Sequence, residues 1–299
     1  MYNISDLKNN IRFLENAENI KEISGGFSKS KKYKFEKKEN SYIIKLSEDD
    51  ENDFILTLFD EAVPVPKVIE KGKVTLYNIS KYYTITSYLE GASLDEKISD
   101  YSKGVQYNIG YNAGKILKSI HNSNFFQEKR NWTKKFTEKY NKYRVKYDSI
   151  NIDFDNITEI IDYIDDNITI ISNDRVRMMH DDYHLDNIIT KNGEITGIID
   201  FDNSEWGDPY HDFVKMFIYS REYSVAFCKG QLNGYFGNNI SSEFWKTIKI
   251  YIAMAIISSL VWCQEHTPNR LQIMKNRLNT VVKDFNAFNN KEPEWFIEY

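Results

Sequence analysis

The stretch Met179–Asn187, MHDDYHLDN, runs directly into Ile188-Ile189-Thr190, a Lys191-Asn192-Gly193 turn and the segment Glu194–Asp202, EITGIIDFD. An Asn-Gly pair between two apolar alternations is a strong short-range hairpin signal, so residues 187–190 and 194–200 are expected to pair as antiparallel strands. Pairing brings the residues just before Ile188 and just after Ile199 to one open end, which places Asp182, Asn187 and Asp200 together. Oxygen-bearing side chains gathered at one loop edge suit a hard cation such as Mg²⁺, which takes carboxylate and amide oxygens together with substrate phosphates. Asp181, Asp182, Asp186, Asp200 and Asp202 crowd acidic charge into the same place, and like-charge repulsion makes that costly without a cation. An aspartate beside such a cation can orient a hydroxyl nucleophile.

The pattern changes near residue 88. Before it, short alternating segments predict strands at Ile20–Ile23, Lys32–Phe35, Tyr42–Leu46, Lys67–Ile69, Val74–Ile79 and Tyr82–Ser87. One helix is expected among them, from about Asp49 to Glu61, where Phe54, Ile55, Leu58 and Phe59 recur at helical spacing before Pro64 and Pro66. After residue 88 the periodicity turns helical, with helices predicted at about 104–122, 132–147, 156–171, 209–220, 241–264 and 270–288. The expected fold class is therefore α+β: an antiparallel β lobe with one helix over residues 1–87, then a mainly helical lobe over residues 88–299 that carries the hairpin.

Composition bounds what such a chain does. Its 299 residues are 41% apolar and 28% charged, with 21 Tyr and 18 Phe, which excludes disordered and low-complexity classes. Two cysteines, Cys228 and Cys263, and an N-terminus without signal-peptide features make the cytoplasm the expected compartment. The apolar run Tyr251–Cys263 is shorter than a membrane span needs, so it reads as a core helix. With 39 Lys plus Arg against 44 Asp plus Glu, the net charge of −5 offers no general attraction to nucleic acid or anionic lipid. Neither is expected as a partner.

The spacing His180-x-Asp182-x-x-x-x-Asn187, followed by a strand that ends in Asp200, matches a kinase signature. Together with IIDFDNSEWGDPYHDF (Ile198–Phe213), it resembles the aminoglycoside phosphotransferase and choline kinase group of small-molecule kinases. That group shares the bilobal protein-kinase-like fold. SGGFSKSKKY (Ser24–Tyr33), YIIKL (Tyr42–Leu46), VPVPKV (Val63–Val68) and AGKILKSIH (Ala113–His121) fall in the order of that family.

The resemblance implies Asp182 as the base that orients the acceptor hydroxyl, and Asn187 and Asp200 as Mg²⁺ ligands. It implies ATP or GTP as co-substrate and a small acceptor with a free hydroxyl, with an aminoglycoside-type antibiotic favoured over choline, a homoserine-like alcohol or a macrolide. Lys45, at an exposed position on an apolar strand, is expected to reach the α and β phosphates, with Glu51, or else Asp53 or Asp50, as its partner. Gly26 and Ser28 are expected in a phosphate cover. By the same resemblance the Ser87 carbonyl and the Leu89 N–H read the nucleotide base.

Asp181 stands where the family has a small residue, and three roles are open to it: a second cation site, raising the pKa of Asp182, or contact with a cationic acceptor. Glu205 and Glu265, beside Trp206 and Trp262, are expected to meet an aminated acceptor, with Glu294 and Glu298 as weaker candidates. His121 reads as a packed structural residue. Two other readings remain beside the kinase. His180-Asp181 and His211-Asp212 are HD dipeptides of the kind found in metal-dependent phosphohydrolases, and a nucleotide-binding module without activity is the third.

Overall fold

The computed structural model describes residues 4–23, 30–48, 52–59, 63–123, 131–237 and 239–297. Helix α1 (Ile4–Asn10), which the sequence pattern did not announce, precedes five strands: β1 (Glu18–Ile23), β2 (Lys31–Lys37), β3 (Asn40–Ser47), β4 (Val68–Leu76) and β5 (Ile79–Ser87). They form one antiparallel sheet in the order β1-β2-β3-β5-β4. Period-two alternation turns Tyr33, Phe35, Ile44, Leu46, Val74 and Ile85 inward, where Leu7 of α1 and Ile11 just after it join them. The segments expected separately at Lys67–Ile69 and Val74–Ile79 are instead the single strand β4. Its Gly72 lies under the ring of Tyr83, about where a Cβ would sit 2.8 Å from the phenol. The turn falls at Tyr77-Asn78, both at positive φ (52° and 64°), as a two-residue hairpin turn requires.

Within the stretch expected to be an α-helix over 49–61, the described residues form a 3₁₀ helix, Asn52–Leu58. It touches β4 and the Phe201–Asn203 turn; its Ile55, and Val63 beyond it, join the core of the helical lobe, and Phe59 lies 5.2 Å from the ring of Phe201.

The chain crosses to the second lobe through β6 (Ala92–Ser93) and α2 (Leu94–Lys97), followed by α3 (Lys103–His121), α4 (Trp132–Ser149) and α5 (Ile157–Asn167). Strand β7 (Arg177–Met179) leads into the 179–187 loop. The expected hairpin is β8 (Ile188–Lys191) and β9 (Glu194–Ile198), and β10 (Glu205–Gly207) returns to pair with β7. The helix expected at 209–220 is a 3₁₀ turn, Pro209–Asp212, then α6 (Phe213–Lys215) and a π-turn, Met216–Ser220, that runs into α7 (Arg221–Tyr223). The rest is α8 (Val225–Phe236), α9 (Ser242–His266), α10 (Leu271–Asp284) and α11 (Glu294–Ile297). Helix α9 is long and apolar enough to cross a membrane by length and composition, and 72% of its apolar window is buried inside the structure, as in a core helix.

Helices α3 and α8 touch through their backbones. A Cβ added at Gly110 or Gly114 would meet the carbonyl oxygen of Phe227 or Gln231 at 2.1 Å, and at Gly230 or Gly234 that of Tyr107 or Tyr111 at 2.1 and 2.0 Å. Four glycines, spaced by four on each helix, are what permits this approach. The pair then serves as a platform. Ala113 O of α3 accepts from Tyr183 Oη at 2.9 Å, while His121 at the end of α3 bonds Tyr235 of α8 at 2.8 Å.

Candidate active site

The 179–187 loop takes its shape from bonds that leave few backbone polar groups to chance. His180 is fully buried, and its Nε2 donates to Ile199 O at 2.9 Å while Nδ1 accepts from the Asp182 N–H at 3.2 Å. Burial lowers its pKa, which keeps the ring neutral so that one nitrogen can accept. The backbone N–H groups of His180 and Asp181 donate to the two oxygens of Asp212 at 2.9 and 2.5 Å. Asp181 adopts a left-handed φ of 59°. Asn187 Nδ2 donates to Asp182 O at 2.8 Å and to Asp182 Oδ2 at 3.2 Å. Ile199 N–H donates to Asn187 O at 3.0 Å, which sets Asp200 alongside. Asp182, Asn187 and Asp200 therefore come together as the hairpin pattern predicts.

Charges around this cluster are matched one by one. Burial pushes the Asp182 carboxyl up, but the His184 hydrogen bond and the Lys215 charge outweigh it and hold the group well below the usual range. His184 Nε2 and Lys215 Nζ lie 3.3 and 3.1 Å from Asp182 Oδ1. His184 Nδ1 also lies 3.2 Å from Asp186, within ion-pair reach but off the line of a hydrogen bond. Burial opposes the protonation of His184, yet its two aspartates raise it to about 9. Asp181 is held low despite its burial by His211, whose Nδ1 is 2.6 Å away. Whatever Asp181 contributes, the balance at Asp182 is downward. Among the described residues the two HD dipeptides gather into no metal centre: His180 bonds Ile199 O and His211 bonds Asp181.

Asp200, also left-handed at φ 66°, is pushed upward by burial against the partial offset of Lys32. Its Oδ1 is buried without a hydrogen-bond partner, 3.7 Å from Lys32 Nζ. Asn187 spends its amide donor on Asp182, which leaves its carbonyl oxygen as an acceptor. A carboxylate oxygen without a hydrogen bond and an amide oxygen, at the same end of the hairpin, fit Mg²⁺. Among the described residues no three His, Cys, Asp or Glu side chains are arranged so as to hold a metal ion by themselves, so such an ion would take its other ligands from phosphates and water.

On the β lobe Lys45 is 8% exposed, which corrects the expectation of an exposed strand position. Its ammonium pairs with Asp202 across the lobes. Its cross-strand partner is Lys32, so two lysines stand side by side opposite Asp202 and Asp200. Gly26, Ser28 and the proposed partners Glu51 and Asp50 lie outside the described residues, as does the side chain of Asp53. Ser87 bonds Lys67 through its N–H and its Oγ, both at 2.9 Å. Leu89 lies over Gly197, where a Cβ would fall 2.1 Å from its Cδ1. Glu90 pairs with Lys191, and its carbonyl accepts from Thr196 Oγ1 at 2.7 Å. The crossover segment is thereby stitched to the hairpin that carries the loop.

On the helical side, Glu205 pairs with Lys135. Glu265, near the end of α9, binds Lys146 at 2.7 and 2.9 Å. A groove bounded by Phe136, Lys139, Tyr140, His211, Met254 and Ser258 opens beside the Asp181–His211 pair. His121 is packed, as expected, with Nε2 2.8 Å from Asp212. The sequence reading missed Lys215, Asp202 as a partner of Lys45, and the pairing of His184. Of these only His184 carried a signal, as the second histidine of the quoted loop.

A family model described as the phosphotransferase enzyme family matches residues 19–244. No curated protein matches the chain. Its fold is similar to that of aminoglycoside phosphotransferase APH(4)-Ia in a ternary complex with ADP and hygromycin B, at 15% identity and a TM-score of 0.71 over 91% of this chain and 96% of that one. It is also similar to an aminoglycoside 2′-phosphotransferase-IIIa in complex with GDP (12%, TM-score 0.67, 96% and 98% covered). A third is ADP-bound APH(2″)-Ib (16%, TM-score 0.61, 98% of each chain). At these identities the likeness is one of fold.

Proposed function

The chain belongs to the phosphotransferase enzyme family, and from that premise we propose that it transfers the γ-phosphoryl group of ATP or GTP, with Mg²⁺, to a hydroxyl of a small molecule. The observation that carries this reading is the convergence of Asp182, Asn187 and Asp200, with Asn187 bonded to the carboxylate of Asp182 at 3.2 Å and Asp200 Oδ1 without a hydrogen bond, in ion-pair reach of Lys32 alone among the described residues. Asp182 orients the acceptor hydroxyl and takes its proton as the oxygen–phosphorus bond forms. With its pKa held so low it is a weak base, so its main contribution is orientation and late proton acceptance. Asn187 and Asp200 would hold Mg²⁺, which when bound neutralises charge on phosphate oxygens. Lys45 engages the phosphates in exchange for Asp202. Residues 1–87 serve the nucleotide, and residues 88–299 supply the catalytic loop and the acceptor site. The two free, buried cysteines suit a reducing compartment such as the cytoplasm.

An aminoglycoside-type acceptor draws its support from the fold likeness to enzymes of that kind, one of them bound to hygromycin B. A second reading, a neutral or singly charged alcohol, is favoured by a specific observation. Glu205, Glu265 and Asp181 are each already paired, with Lys135, Lys146 and His211, so an aminated sugar would have to displace those cations. Nucleotide turnover with Mg²⁺ and hygromycin B, kanamycin, choline, homoserine or erythromycin separates the two readings. Turnover with the amino sugars alone supports the first, and turnover with a neutral or singly charged alcohol the second. Failure to release any nucleoside diphosphate with Mg²⁺ would overturn both.

A further inference from the structure

The loop of this chain carries two adjacent carboxylates, Asp181 and Asp182, with side chains only 15% and 18% exposed. Neighbouring like charges withdrawn from water repel, and each has its own cation. His211 serves Asp181, while Asp182 Oδ1 has Lys215 at 3.1 Å and His184 at 3.3 Å.

Lys215 differs from the two histidines in where it is rooted. It stands three residues after Asp212, whose carboxylate holds the backbone of the same loop, and its neighbours Phe213, Val214, Met216 and Phe217 are all buried. One carboxylate thus fixes both the loop that carries Asp182 and the start of the helix that carries Lys215. The side chain leans past the ring of Tyr219, with 5.2 Å from Nζ to the centroid. Its side chain keeps 36% of its surface exposed.

We infer that Lys215 is a positioning residue for phosphoryl transfer, its ammonium holding Asp182 Oδ1 while the Asn187 amide holds Oδ2. The inference rests on the reading of Asp182 as the base. Rotation about the last bond of an aspartate is broad, so two contacts on opposite oxygens select one carboxylate plane for the incoming hydroxyl. In the step itself the acceptor oxygen bonds to phosphorus, the bond from phosphorus to the nucleoside diphosphate breaks, and the hydroxyl proton passes to Asp182. Lys215 neither gives nor receives a proton. Its loss therefore misplaces the base without removing a substrate contact, and misplacement of this kind costs on the order of 10- to 100-fold in rate.

The test compares Lys215→Met, Lys215→Arg, Asp182→Asn and the double variant Asp182→Asn/Lys215→Met. ADP release from MgATP is followed with hygromycin B, kanamycin, choline, homoserine, erythromycin and water as acceptors, and thermal melts confirm folding. Lys215→Met is expected to lower kcat by about 10- to 100-fold with KM for ATP and acceptor within about twofold, and Lys215→Arg to recover most of the loss. The double variant should be no slower than Asp182→Asn alone, because Lys215 acts through that carboxylate. A merely structural lysine would instead add its loss to the double variant, which overturns the inference. So does a Lys215→Met enzyme of normal kcat beside an inactive Asp182→Asn. An active Asp182→Asn overturns the base reading itself. Should Lys215→Met fail to fold, Lys215→Gln and Lys215→Arg carry the same comparison.

Discussion

His121 and Asp212, 91 positions apart, meet at 2.8 Å with both side chains out of solvent, and the same carboxylate holds the N–H groups of His180 and Asp181. One buried group therefore ties helix α3 to the loop that presents Asp182. Replacing Asp212 with Ala leaves three buried donors unmet, and a loss of about 3–5 kcal/mol is expected. Urea unfolding measures it. A loss under about 1 kcal/mol would mean that the loop holds itself.

Asp182→Asn should lower kcat by roughly 100-fold or more while leaving nucleotide affinity nearly unchanged. Asp200→Asn should weaken nucleotide binding only when Mg²⁺ is present. Titration with a fluorescent nucleotide, with and without the metal, distinguishes them, and equal behaviour of the two variants would reject the division of roles.

Lys45→Ala should raise the KM for nucleotide by about tenfold or more, the scale of a lost charge-assisted contact. Asp202→Asn probes the other half of that pair. If Asp202 only occupies Lys45 until phosphate arrives, its neutralisation leaves the KM unchanged or lower. A KM that rises as much as in Lys45→Ala would make the pair part of the binding machinery.

The charge on His184 predicts a pH dependence. Its pKa rises from the ordinary 6.5 to about 9 in the folded chain, so its contribution is complete below 6.5 and is lost as the pH climbs through 9. Wild type should lose up to about 3 kcal/mol from this group between pH 6 and pH 10. His184→Gln should flatten that decline. Asp182, shifted the other way, keeps its charge until strongly acid pH and should add no acid limb to kcat above about pH 4. Parallel melts across pH and a pH–rate profile test the two signs.

Gly114→Ala would set a Cβ 2.1 Å from Gln231 O, whereas the space at Gly104, in the first turn of the same helix, is open. The first change should cost about 1–3 kcal/mol or more. The second should be neutral or stabilising by up to about 1 kcal/mol. Thermal melts of the two variants, side by side, decide whether the α3–α8 contact is as tight as its geometry.

What the sequence revealed follows the range of each signal. The β8–β9 hairpin was legible because Asn192-Gly193 is a local turn code, and that hairpin alone juxtaposes Asp182, Asn187 and Asp200. The β4–β5 turn was misplaced because Tyr77-Asn78 has no glycine and Gly72 interrupts the alternation. Helix α8 escaped notice since Gly230 and Gly234 depress its helical propensity, and it is held by its fit against α3. Pairs such as Lys45–Asp202 and Lys215–Asp182 join residues far apart in the chain. No spacing rule encodes them.

Helices α3 and α8 meet main chain against main chain. Side chains adjust by changing rotamer, but a seam of main-chain atoms against main-chain atoms has no such freedom. Tyr183 reaches Ala113 O on that seam, and His121 bonds Tyr235 across it at one end and Asp212 at the other. The loop is thus surveyed from a fixed benchmark, and side chains of α4 that line the groove beside His211 can be exchanged without moving the point from which Asp182 is aimed.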